Sequence, residues 1–138
     1  MKQTGPIILI EDDEDDQMVL RDIFKELQLV NELIVCASGI QALEYLRDPS
    51  VEPFLVLSDL NMPVMNGLQV LDIIRQDDAL SAKCFPYIFM STAASKPTVT
   101  QAFSLGGQGF FTKPASVKVF EETIHCIVQY WQKSNRPH

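Results

Sequence analysis

The sequence predicts a doubly wound α/β domain: a parallel sheet of five strands in the order 2-1-3-4-5, covered by five helices. Two observations carry this. Five short apolar runs recur along the chain, at Ile7–Ile10, Leu33–Ala37, Phe54–Ser58, Tyr87–Ser91 and Gly109–Thr112. Between and after them lie stretches with the apolar spacing of amphipathic helices. Right-handed crossovers between successive strands then force a parallel sheet with helices on both faces.

The first and third runs are continuous rather than alternating, as expected for central strands buried on both faces. Leu20, Ile23, Phe24 and Leu27 follow the i, i+3, i+4, i+7 rule, which predicts a helix from Asp16 to Leu29. Ser38 and Gln41 form a capping box for a second helix, with Ile40, Leu43 and Leu46 as its inner stripe. Leu68, Leu71 and Ile74 mark a third helix, opened by Gly67. Ser95 with Pro97 starts a fourth, which carries Val99, Ala102 and Phe103 inward and stops at Gly106-Gly107. Ser116 caps the last helix, whose stripe is Val117, Phe120, Ile124, Ile127 and Trp131.

The 138 residues suggest one domain, with a core over about residues 6–133 and no output domain. Apolar residues make up 46% of the chain and charged residues 21%, enough of the former to build a core. No apolar stretch approaches the roughly 20 residues of a membrane helix, and the start lacks the pattern of a signal peptide. Cys36, Cys84 and Cys126 match no metal motif, so they read as reduced thiols that mostly pack as small hydrophobes in a cytoplasmic protein. A net charge of −7 argues against nonspecific nucleic-acid binding. His125, mid-helix beside the apolar stripe, reads as structural or surface.

In such sheets ligands bind beyond the carboxyl ends of the strands, where strand order switches. Glu11 and Asp12 follow the first strand, at the head of a run of six acids, and Asp59 follows the third. Three carboxylates brought together there cannot all stay ionised without a cation. With oxygen ligands and no His or Cys nearby, the ion expected is Mg²⁺ or Mn²⁺. A Mg²⁺ ion that keeps several waters suits phosphoryl transfer onto a carboxylate, for which Asp59 is the best-placed nucleophile. Lys113 ends the fifth strand in "GFFTKP" and Ser91 the fourth in "YIFMS", supplying a cation and a hydroxyl to the same crevice.

The set Glu11-Asp12, Asp59, Ser91 and Lys113-Pro114, with "SDLNMPVMNG" (58–67) and "GGQGFFTKP" (106–114), resembles the receiver domain of two-component response regulators, the CheY-like family, in its stand-alone single-domain form. The similarity runs from Ile7 to about Trp131. It implies that Asp59 is the phosphoacceptor and that Glu11 and Asp12 hold Mg²⁺ or Mn²⁺, together with Asp59 and the backbone carbonyl of Asn61. Asp13 is a rival ligand. It implies that Ser91 and Lys113 bind the phosphoryl oxygens, with Thr92 a rival to Ser91. It further implies a cis peptide bond between Lys113 and Pro114, and Phe110 as the aromatic that changes rotamer on activation.

Several residues carry a plainer reading. Glu14, Asp15 and Asp16 fit the start of the first helix, where acids meet the positive end of the dipole. Strand alternation buries one of Phe110 and Phe111 and leaves the other nearer the face. Trp131, with Tyr130 beside it, packs against the sheet or a partner, so the chain is expected as a monomer or weak homodimer. The function expected is a phosphorylation-switched binding module, not an enzyme beyond self-catalysed phosphorylation and dephosphorylation. Its donor would be a sensor histidine kinase or histidine phosphotransfer protein and its target another protein, with neither nucleic acid nor membrane as partner. A phosphatase with an aspartate nucleophile would need a second acid where Asn61 stands, and a flavodoxin-like binder would meet repulsion at Glu11-Asp12-Asp13.

Overall fold

The computed structural model describes residues 1–135. Five parallel strands form one sheet in the order β2-β1-β3-β4-β5: β1 (Ile7–Ile10), β2 (Leu33–Cys36), β3 (Leu55–Asp59), β4 (Tyr87–Ser91) and β5 (Gly109–Thr112). The helices are α1 (Glu14–Leu27), α2 (Gly39–Arg47), α3 (Gly67–Gln76), α4 (Asp78–Ser81), α5 (Lys96–Ser104) and α6 (Val117–Lys133). The strand order is the expected one. The sixth helix is the single turn α4, capped by the Asp77 side chain, which accepts from the Leu80 amide at 3.1 Å. One turn has no room for a periodic stripe, so the sequence gives no sign of it.

The central strands β1, β3 and β4 are buried along their whole length, which fits their unbroken apolar runs. Alternate side chains feed two cores. Ile8, Ile10, Val56, Tyr87 and Phe89 pack under α2 and α3, while Ile7, Leu9, Leu55, Leu57, Ile88 and Met90 pack under α1 and α6. Helix faces turn slightly from the expected stripes. Ile40, Phe103 and Val117 are exposed rather than inward. In α2 and α5 the neighbouring small residues Gly39 and Ala102 take the buried positions, which rotates Ile40 and Phe103 into solvent. Val117 lies at the open first turn of α6. Of the cysteines only Cys36 is buried, and burial pushes its thiol up to about 11; Cys84 and Cys126 are exposed, contrary to expectation.

A buried polar knot fixes the end of β3 against α3. The Tyr87 hydroxyl donates to the Gly67 carbonyl at 3.0 Å and lies 2.9 Å from the Ser58 hydroxyl. Ser58 in turn donates to the Asp59 carbonyl at 2.9 Å. Helix α3 reaches this close only because residue 67 is glycine: a Cβ there would fall 2.5 Å from the Asp59 carbonyl oxygen. Asn66 caps the helix reciprocally with Gln69, at 2.9 Å in each direction. Tyr87→Phe removes a buried hydroxyl that bridges Ser58 and the Gly67 carbonyl, so it is expected to cost about 1 kcal/mol in urea unfolding. A change below about 0.5 kcal/mol would mean that the knot contributes nothing measurable.

Candidate functional site

The ladder of the sheet continues one residue past each strand end and fixes the backbone of the site. The Glu11 amide donates to the Cys36 carbonyl at 3.0 Å, Leu60 to Met90 at 3.2 Å, and Lys113 to Ser91 at 2.7 Å. Register pairs Ile10 with Ser58, so Glu11 and Asp59 emerge side by side, while Lys113, just beyond β5, leaves the same end of the sheet two strands away. Glu11, Asp12 and Asp59 each offer a carboxylate oxygen, and these atoms lie within 4.8 Å of one another. Glu11 and Asp59 are buried and Asp12 is exposed.

Lys113 closes the crevice. Its ammonium donates to Glu11 Oε1 at 2.6 Å and to Asp16 Oδ2 at 2.8 Å, and stands 3.5 Å from Asp59 Oδ1. Burial opposes its charge, but the hydrogen bonds to Asp16 and Glu11 prevail and hold the ammonium well above the usual lysine range. The Lys113–Pro114 bond is not cis, since the described residues contain no cis peptide, which corrects the expectation from the family resemblance. The trans form of an X–Pro bond is the lower by roughly 0.5–1 kcal/mol, and with it Lys113 makes both short ion pairs.

Burial is the main cause that pushes Glu11 from 4.5 up to about 7, against the pull of Lys113; the charge of Asp59 adds to the rise. Burial raises Asp59 as well, opposed by Lys113. The all-oxygen donor set, two of its carboxylates buried and held toward their neutral forms, suits a hard divalent cation. The residues present therefore fit the ion that the sequence implies.

The acid run divides its labour. Asp13 is occupied as the N-cap of α1, its Oδ1 accepting from the amides of Asp15 at 2.8 Å and Asp16 at 3.1 Å. Glu14 and Asp15 stay exposed on the first turn, as the dipole reading expects. Asp16 lies on that first turn too, and its carboxylate additionally pairs with Lys113. Gln17 Nε2 also donates to the Glu11 carbonyl at 2.6 Å, a brace that no motif marks.

Ser91 is buried at the end of β4, and its hydroxyl is turned into the following loop, donating to the Ala93 carbonyl at 2.7 Å. Thr92 is exposed. Phe110 and Phe111 are both half-buried, on opposite faces. Phe110 stacks on Phe89 with centroids 5.9 Å apart, while Phe111 packs with the core under α6. Asn61 is exposed two residues beyond Asp59. Tyr130 and the half-buried Trp131 meet edge to face, centroids 5.0 Å apart, and His125 is exposed. Among the described residues no helix is long and apolar enough to cross a membrane.

This fold and this cluster define a class, a small doubly wound α/β domain with an acid crevice at the carboxyl ends of its strands. The response regulator receiver domain family matches residues 7–125, and the chain belongs to it. Response regulator Rcp1 of Synechocystis sp. is 28% identical over 130 residues, covering 91% of this chain and 87% of that protein. The phosphorylated cyanobacterial phytochrome response regulator RcpA superposes with a TM-score of 0.83 at 25% identity, covering 96% of each chain. The Mn²⁺-bound form of Rcp1 gives 0.82 at 26% identity, over 97% of this chain and 99% of that one.

Without metal, the raised Glu11 gives stability a definite pH dependence. The native state holds a proton that the unfolded chain releases near 4.5, so stability falls as pH rises from about 4.5 to 7. The loss attributable to Glu11 is up to about 3 kcal/mol. In EDTA, Glu11→Gln should remove that part of the slope, read from urea unfolding at pH 5 and pH 8. Identical slopes in the two proteins would contradict the assignment.

Proposed function

We propose that this receiver takes a phosphoryl group on Asp59 and signals by changing its protein contacts. The observation that carries the reading is the Asp59 carboxylate itself. It is buried at the end of a central strand, in the acid triad, with the Lys113 ammonium 3.5 Å away. An Asp59 oxygen attacks phosphorus as the bond from phosphorus to the donor histidine nitrogen breaks, and the phosphoryl group passes to the carboxylate. Glu11, Asp12, Asp59 and the Asn61 carbonyl would hold Mg²⁺ or Mn²⁺, which would supply neutralisation of charge at the phosphoryl oxygens. Lys113 supplies the fixed cation. The Mn²⁺-bound Rcp1 and phosphorylated RcpA structures support this reading by likeness.

Ser91 leaves Ala93 for a phosphoryl oxygen, and the stacked Phe110 answers by turning toward the space beside β4. The readout is a changed face of α5, β5 and α6. The donor is a sensor histidine kinase or histidine phosphotransfer protein, the target is another protein, and the setting is cytoplasmic. The chain's own chemistry goes no further than self-phosphorylation and dephosphorylation. As a carrier of charge and surface, it works as a monomer or weak homodimer.

With Mg²⁺ and acetyl phosphate, mass spectrometry should show one added phosphoryl group, absent with EDTA and absent in Asp59→Asn. Full labelling of Asp59→Asn would overturn the acceptor assignment.

A further inference from the structure

We propose that Asp16 is a positioning residue that holds the Lys113 ammonium 3.5 Å from Asp59, beside the acceptor rather than bonded tightly to it, an inference that rests on Asp59 as the acceptor. A lysine ammonium has three donors and no acceptor. Glu11 takes one donor at 2.6 Å and Asp16 a second at 2.8 Å, both at the short distances of charge-assisted bonds. Asp59 stands at 3.5 Å, beyond the roughly 2.7–3.2 Å of an N–H···O bond. The ammonium is thus near the acceptor without covering it. The third donor faces Asp59 at a distance too long for a strong bond, which leaves it available to a group that Asp59 gains.

The anchor is itself rigid. Asp16 sits on the first turn of α1, where its amide is tied to the Asp13 cap at 3.1 Å, and its carboxylate is about one-third exposed. It therefore belongs to α1, while Lys113 belongs to β5, on the other side of the crevice from β1. Glu11 alone does not fix the stand-off, because one hydrogen bond leaves the ammonium free to pivot. With Asp16 gone, the next carboxylate within reach after Glu11 is Asp59, and the ammonium pivots on Glu11 toward it. Asp16 contributes a second effect of opposite sign, since one more negative charge at the mouth repels an anionic phosphodonor. At 35% side-chain exposure that repulsion is screened by water, whereas the bond to a lysine that is itself 7% exposed is not. Positioning outweighs repulsion.

The test is Asp16→Ala in the whole chain, which removes the acceptor as well as the charge. A metal-free crystal structure should show Lys113 Nζ within about 3.0 Å of an Asp59 oxygen. An ammonium still near 3.5 Å overturns the proposal. With Mg²⁺ and acetyl phosphate, labelling of Asp59 should slow about fivefold at saturating donor, roughly the loss of one modest hydrogen-bonding contribution. Labelling as fast as wild type, or faster, overturns it, because loss of a merely repulsive charge accelerates the reaction. In a Lys113→Ala background, Asp16→Ala should change the rate less than about twofold. A fivefold loss there would mean that Asp16 acts without the lysine, which also overturns it. If wild type and Asp59→Asn label alike, the acceptor reading fails instead, and the lysine position in the metal-free variant alone decides the role of Asp16.

Discussion

Two carboxylates buried side by side, Glu11 and Asp59, impose the constraint around which this site is built. Two like charges within 4.8 Å of each other repel by at least roughly 3 kcal/mol at an effective dielectric of 20, more than an exposed salt bridge returns. Asp12 and Asp16 add two further acids, against the single ammonium of Lys113. One lysine cannot balance four acids. The crevice is left with two ways to lower its charge: keep a proton on the Glu11–Asp59 pair, or take up a divalent cation. The upward displacement of Glu11 to about 7 expresses the first, and the oxygen-only donor set suits the second.

Rigidity makes such an arrangement tolerable. The sheet ladder runs on through Glu11 and Lys113, so both side chains leave from fixed backbone. The Tyr87–Ser58–Gly67 knot anchors the Asp59 carbonyl from below. Asp13 grips the first turn of α1 and thereby sets Asp16 toward Lys113. A run of acids that looks redundant in one dimension is, in three, a division into two crevice carboxylates, a helix cap, two acids at the dipole end and an anchor for the lysine.

Most of the architecture was legible because burial on both faces writes a continuous apolar run, and β1, β4 and β5 fall at the boundaries expected. Strand order followed from connection rules. Glu11, Asp12, Asp59 and Lys113 were legible because strand ends converge by topology, before any side chain is placed. Other features were not. Which side of a helix faces inward within one residue is a packing decision, so Ile40, Phe103 and Val117 were misplaced. The one-turn α4 is too short to carry a period. The Asn66–Gln69 capping box was overlooked, although Asn followed three residues later by Gln marks one. The Asp16–Lys113 pair joins residues 97 apart, and no local pattern couples them. The trans bond at Pro114 corrects an expectation that came from resemblance rather than from these residues.

The central claim is that a proton and a divalent cation compete for the same buried carboxylates. Calorimetric titration of Mg²⁺ in buffers of different ionisation enthalpy tests it most directly. With Glu11 near 7, binding at pH 7 should release about half a proton per ion, and binding at pH 9 should release none. Binding at pH 7 without any proton release would contradict the claim.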